Sequence, residues 1–191
     1  MRVSREQAAK NREKIVEVAS REFRDKGFDG IGVADLMKSA GLTHGGFYGH
    51  FASKDDLIAE ACGTAMDHST GKWAKLIETS PENALSLIVE SYLSKAHRDD
   101  NANGCPMAAL APEIARQGNP VRERFTRGLR DSLDVLLEAM PSGRPGERRR
   151  EATLATMAGL VGTLVLSRAV NDPDLAEEIL AIGRARLGKD G

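Results

Sequence analysis

The chain is poor in the residues that stiffen, staple or pleat a small fold. It has seven prolines in 191 residues and only 4% aromatics. No stretch alternates β-branched with polar residues as a half-buried strand would. Its two cysteines, Cys62 and Cys105, stand 43 positions apart with no Cys-x-x-Cys pair, which excludes a disulfide framework and fits a reducing compartment. The four histidines lack metal-ligand spacing: His44 and His50 are six apart, wrong for one helical face, and His68 and His97 fall on different helices. No metal and no cofactor is expected. The N-terminus has no apolar signal core. The most apolar run, Ala152 to Ser167, is 16 residues long and stops at Arg168, short of the roughly 20 a membrane span needs. It reads as a buried helix, with no membrane partner. No activated nucleophile, carboxylate pair or ligand cluster can be drawn, so enzymatic activity is not expected.

What the chain does have is long stretches of Ala, Leu, Glu and Arg, the strong helix formers. With 41% hydrophobic and 29% charged residues, it is expected to be an all-α protein with a real core. Ser4 to Lys26 is predicted as the first helix, with Ile15, Ala19 and Phe23 on one face and Gly27 as its stop. Val33–Ala40 and Thr43–His50 are predicted as short helices on either side of Gly41. Ser53 opens a long helix with Asp56 three residues on, a capping box in its Asp form. Further helices are expected from Ser80-Pro81, at Pro106 (disturbed by Pro112), from Asn119-Pro120, from Glu147 to about Val170, and from Asp172-Pro173 to about Leu187. Residues 98–104 and 141–146 read as a polar loop and a turn. The domain boundary is placed after Ala52: a head, 1–52, and a body, 53–191.

The net charge is −1, unevenly spread. Residues 1–54 hold ten Lys and Arg against seven Asp and Glu. A mildly basic head on an acidic body permits a polyanion partner without demanding one.

The head carries the informative motif, VADLMKSAGLTHGGFYGHF, read as helix, glycine turn, helix. Ala34, Leu36, Met37 and Ala40 bury the first helix, Leu42 packs the turn, and Thr43 caps the second helix. That is helix-turn-helix geometry, in which the second helix lies in the major groove of DNA. Gly45 and Gly46 then have a use, because a helix without side chains there brings its backbone close to the duplex. Thr43 and His44 are placed to reach base edges. Tyr48, His50 and Lys54 suit phosphate oxygens, Lys54 also at the free amides of a new helix. Phe47 and Phe51 are core.

These residues resemble the helix-turn-helix signature of the TetR family of transcriptional repressors. The resemblance rests on Phe23 to Phe28 at the end of the first helix and on Val33 and Leu36 in the second. It rests most of all on Tyr48, His50, Phe51, Ser53, Lys54 and Leu57, which match the family's Tyr-x-His-Phe-x-Ser-Lys-x-x-Leu segment in full. It covers about residues 4–60. Gly32 departs from the usual Ser or Thr cap, at a cost of a few tenths of a kcal/mol. The resemblance implies a homodimer bound to a double-stranded, pseudo-palindromic operator, whose body holds a pocket for a small-molecule inducer; the cysteine usage fits a cytoplasmic location. Ligand binding would move the two heads and release the DNA.

For the dimer face, Ala152, Ala155, Gly159 and Gly162 follow at three- or four-residue spacing, with bulk from Leu160, Leu164, Leu175, Ile179 and Ile182. Two such helices per subunit make a four-helix interface, although the same residues would serve an internal core. Met66, Trp73, Tyr92, Met107, Phe125 and Met140 suit a ligand pocket and a plain core equally. Cys105 precedes a proline-started helix, where a thiol pKa can be lowered. Its Gly-Cys setting resembles a TetR-type subgroup, some of whose members sense electrophiles or oxidants through that cysteine. Cys105 is therefore a candidate sensor against a plain packing role, and a redox-responsive repressor is the alternative to a ligand-released one. Cys62 reads as core, and the basic run at 146–151 as a solvated helix start.

Overall fold

The computed structural model describes residues 4–141 and 146–188, and these contain helices and no strand. The head comprises α1 (Arg5–Lys26), α2 (Val33–Ser39) and a 3₁₀ segment at His44–Gly49. The body comprises α3 (Lys54–Thr79), a 3₁₀ turn at Pro81–Asn83, α4 (Ala84–Tyr92), α5 (Lys95–Asp99), α6 (Pro106–Ile114), α7 (Asn119–Ala139), α8 (Gly146–Ala169) and α9 (Pro173–Leu187).

The helix starts follow local chemistry. Ser4 Oγ accepts the Gln7 N–H at 3.1 Å, and Ser53 Oγ accepts the Asp56 N–H at 3.1 Å. Asp172 accepts the Asp174 and Leu175 N–H groups. Each satisfies an amide that the helix leaves without a partner. The capping box at Ser53 is shifted by one, since Asp56 accepts from Ala52 N–H at 3.2 Å.

The helix expected to run on from Ser80 is instead broken twice. Pro81–Asn83 winds as 3₁₀, and α4 ends at Tyr92 because Ser94 starts a new helix, its Oγ accepting the His97 N–H at 3.1 Å. A serine that offers the backbone its own acceptor competes with helix continuation. Of the predicted 141–146 turn, residues 142–145 lie outside the described residues. In the adjoining basic run, Arg149 donates to the Leu137 and Met140 carbonyls at 2.6 and 3.0 Å, closing the C-terminus of α7.

Two apolar clusters fill the interior. The first joins Ile15, Ala19, Phe23, Phe28, Leu36, Met37, Phe47 and Phe51 of the head to Leu57, Ile58, Ala61 and Cys62 of α3. It continues into Leu110 and Ile114 of α6 and Val121 of α7, so the packing runs unbroken past Ala52. Cys62 is core as expected, and burial pushes its thiol pKa up to about 12. The second cluster gathers Met66, Trp73, Ile88, Tyr92, Leu136, Leu160, Leu164 and Leu180 in the body. The α3–α7 contact is close because Gly128 brings no side chain to it: a Cβ there would sit 2.8 Å from Met66 Cβ.

α8 departs from its reading as a buried helix. Leu160, Leu164 and Met157 face inward, but only 33% of its most apolar window is buried. By length and composition alone the helix could cross a membrane. Its outward side instead exposes Leu154, Val165 and Leu166 beside Leu175 and Ile182 of α9.

Candidate nucleic-acid interface and body cavity

The turn between α2 and the 3₁₀ segment is built by Gly41. Its φ is +70°, its N–H bonds Lys38 O at 2.9 Å, and Leu42 N–H reaches back to Met37 O at 2.8 Å. These are the two bonds of a Schellman stop, with Leu42 tucked toward Met37. The segment that follows is tighter than the α-helix expected. Gly46 N–H bonds Thr43 O at 3.0 Å and His50 N–H bonds Phe47 O at 2.9 Å, both three residues back. Three glycines in six residues, His44 to Gly49, give little support to a longer α-helix. Phe47 anchors the segment, stacked on Phe51 at 5.5 Å.

The outward side of this segment is bare. Thr43, His44, Gly45 and Gly49 are exposed, Gly46 and His50 are half-buried, and Tyr48 is 73% exposed. Thr43 occupies the cap position, but its hydroxyl makes no cap bond, which corrects the capping role and leaves the oxygen available. None of Gly45, Gly46 and Gly49 has a positive φ; among the described residues only Gly27 and Gly41 do. A Cβ at Gly45 or Gly49 would meet nothing within 4 Å, and at Gly46 it would meet only ordinary contacts with Met37 and Thr43. Neither the backbone nor the packing of this chain requires glycine at these three positions.

Lys54 is placed differently from the expectation. Its ammonium donates to Phe28 O at 2.5 Å and Ile31 O at 2.9 Å, holding the α1–α2 connection rather than reaching outward. Asp55 and Asp56 fill the first turn of α3, and their charge opposes an anion at those amides. Glu113 of α6 completes the junction by accepting the Phe28 N–H at 2.7 Å beside Gly27. The head is thus tied to the body by long-range polar contacts that no local pattern announces.

The residues expected at the dimer face separate into two groups. Ala155 and Leu175 are exposed, Ile179 is half-buried, and a Cβ at Gly162 would meet nothing. Gly159 is used within the chain, since a Cβ there would lie 2.9 Å from Leu187 Cδ2 of α9. Leu160 and Leu164 are fully buried core. Among the described residues, five of the six exposed large apolar side chains lie on α8 and α9, so these two helices carry the apolar surface.

A cavity of about 320 Å³ opens between α1, α3, α4 and the loop before α6. Trp73 and Tyr92 line it, as do Arg24, His68, Lys72, His97, Asp100 and Cys105. Met66, Met107 and Met140 are buried core instead, and Phe125 packs on it. Arg24 was not singled out by the sequence reading. The signal was present, because Val16, Ser20 and Arg24 form a second buried stripe at four-residue spacing beside Ile15, Ala19 and Phe23.

Cys105 sits on this wall but not as a reactive thiolate. It is 1% exposed, and burial pushes its pKa up despite the helix amides of Met107 and Ala108. The expected lowering by the helix start is outweighed by desolvation. The neighbouring Tyr92 hydroxyl is buried against the Cys105 thiol.

His97 fixes the local geometry. Its Nδ1–H donates to Tyr92 O at 2.6 Å, and Nε2 accepts the Cys105 N–H at 2.9 Å. Protonating Nε2 would set one N–H against another. Burial, with Arg168 nearby, holds the His97 pKa below its ordinary value. The unfolded chain takes up this proton near the ordinary value of about 6.5. Stability is therefore full above that pH and falls below it, until the lower folded value is passed. The urea midpoint of wild type is expected to exceed that of His97→Gln by more at pH 7.5 than at pH 5.5. An equal gap at both pH values contradicts the assignment.

A bare, glycine-bearing segment after a tight turn, on a small helical head carried by a helical body, defines the helix-turn-helix class of DNA-binding regulators. Residues 15–61 match the family described as bacterial regulatory proteins, tetR family. The HTH-type transcriptional regulator LmrA of Bacillus subtilis (strain 168) is 27% identical over 161 residues, covering 82% of this chain and 86% of LmrA. The Escherichia coli NemR structure in its reduced form superposes with a TM-score of 0.74 at 19% identity, over 92% of this chain and 96% of NemR. The TetR-family regulator SCO4454 of Streptomyces coelicolor superposes with a TM-score of 0.76 at 21% identity, over 95% and 96%. The chain thus carries a tetR-family segment over residues 15–61 and is similar over most of its length to an HTH-type transcriptional regulator.

Proposed function

We propose that the protein is a homodimeric repressor that binds a pseudo-palindromic operator through Thr43–His50 and is released when a small molecule enters the body cavity. The head, 1–52, reads DNA, and the body, 53–191, pairs and responds. The carrying observation is that Gly45, Gly46 and Gly49 are required by nothing inside the chain. Glycine in a helical segment costs about 1 kcal/mol against alanine, and close approach of the backbone to a duplex accounts for accepting that cost. Thr43 and His44 lie where base edges are reached, and Tyr48 and His50 flank them for phosphates.

The apolar surface of α8 and α9, including Ala155, Gly162, Leu175 and Ile179, supports pairing with a second copy. Five exposed large apolar residues on two adjacent helices exceed what a monomer scatters singly. The buried Cys105 thiol, with its raised pKa, favours a cavity ligand over oxidation as the trigger.

Fluorescence anisotropy on the upstream intergenic duplex at several salt concentrations tests the reading. Tyr48→Phe is expected to weaken binding to all sequences alike without changing the salt slope, because the lost group is uncharged. Lys54→Met is expected to lower the stability of the head and also leave the slope unchanged. A slope smaller by about 1 in Lys54→Met would return that residue to a phosphate contact. No binding to any duplex by the wild type would defeat the proposal.

A further inference from the structure

We infer that the cavity binds a small organic carboxylate, with the Arg24 guanidinium of the reading head as its main anchor. The inference rests on the ligand-released reading only for its regulatory consequence, not for binding itself.

Arg24 is only 8% exposed, yet no carboxylate of the described residues lies within ion-pair distance of it. Among the described residues its one hydrogen bond is from Nε to Ala102 O at 2.8 Å. Guanidinium stays charged at all working pH values, and a buried charge is ordinarily paired. Lys72 lines the same cavity and is likewise without an ion-pair partner among the described residues. The one acidic wall residue, Asp100, accepts the Asn103 backbone N–H at 3.1 Å and the Asn103 amide at 3.0 Å, and its charge offsets Arg24 only from beyond ion-pair distance. With Arg24 and Lys72 facing that single carboxylate, the wall keeps an excess of positive charge.

The remaining lining sets the rest of the ligand. The Trp73 and Tyr92 rings lie 5.9 Å apart at 57°, with Leu76 beside them, which suits a compact apolar body. A planar guanidinium fork matches a carboxylate in bidentate fashion. The volume of about 320 Å³ lies at the small end of ligand cavities, so the acid is small.

Occupancy would act on the head directly. Arg24 stands in the last turn of α1, and its Nε holds Ala102 in the loop after α5; Arg168 of α8 holds α5 itself, its Nη2 and Nε donating to His97 O at 2.6 Å and Arg98 O at 3.0 Å. An anion on Arg24 thus pulls on α1 and on the loop that continues α5, the helix fastened to the apolar-faced α8.

Trp73 is the only tryptophan of the chain, so its fluorescence reports on the cavity. The full-length protein is titrated with benzoate, phenylacetate and octanoate and with the primary amide of each. At least one acid is expected to shift Trp73 emission saturably, binding about tenfold or more tighter than its amide. Arg24→Gln and the exposed-site variant Lys72→Gln should each lose about tenfold for the acid and leave the amide unchanged. Amides binding as well as acids, no response to any acid, or a folded Arg24→Gln or Lys72→Gln with unchanged affinity overturns the inference. An acid that binds but leaves promoter DNA bound upholds the site and defeats the release reading. A neutral compound that enters the cavity and releases DNA, where the acids do not bind, does the reverse.

Discussion

Gly45→Leu is expected to cut affinity for the protein's own promoter by about 100-fold or more, toward the non-specific level, while leaving the fold as stable as the wild type or more so. The two halves of this outcome come from different physics. In the free protein a side chain at 45 meets nothing within 4 Å, and leucine is a better helix former than glycine by roughly 1 kcal/mol. Thermal stability should therefore hold or rise. At the DNA, a leucine displaces the segment from the groove floor and removes the backbone approach on which the base contacts of Thr43 and His44 depend. Gly46→Leu is the less clean variant, because its Cβ already lies 3.7 Å from Met37 Cε. A paired measurement of melting temperature and anisotropy decides the matter. A Gly45→Leu protein that keeps full affinity shows that the segment does not press against the duplex.

The second large effect concerns assembly. Leu166→Asp combined with Ile182→Asp should give a folded monomer in sedimentation. Both side chains are more than half exposed, at 59% and 55%, so the charges enter water in the single chain and an apolar interface in the pair. A lone head loses the gain from a tethered second head, about 10²- to 10⁴-fold, so operator affinity should fall by that order. Replacing Leu160 or Leu164 instead would unfold the chain, since both are fully buried. A double variant that remains dimeric moves the interface elsewhere.

What was legible in the sequence was local. Ser4, Ser53 and Asp172 announce helix starts because a cap acts within three residues. Gly27 and Gly41 announce stops because only glycine takes positive φ cheaply. The break at Leu93 was not legible, since it depends on Ser94 and on His97 taking the Tyr92 carbonyl. Lys54 misled because its partners, Phe28 O and Ile31 O, lie more than twenty residues upstream. Gly159 misled because small residues serve contacts within a chain as readily as between chains. In α8, apolar on nearly all sides, periodicity could not separate the inner face from the outer.

The most direct test of the central claim is a hydroxyl-radical footprint of the promoter duplex, with the protein's stoichiometry measured on the same complex. The account predicts two chains on the duplex and two protected stretches about one helical turn apart, roughly 34–36 Å, with protection lost in Gly45→Leu. A monomer that leaves every duplex unprotected at low salt would contradict it.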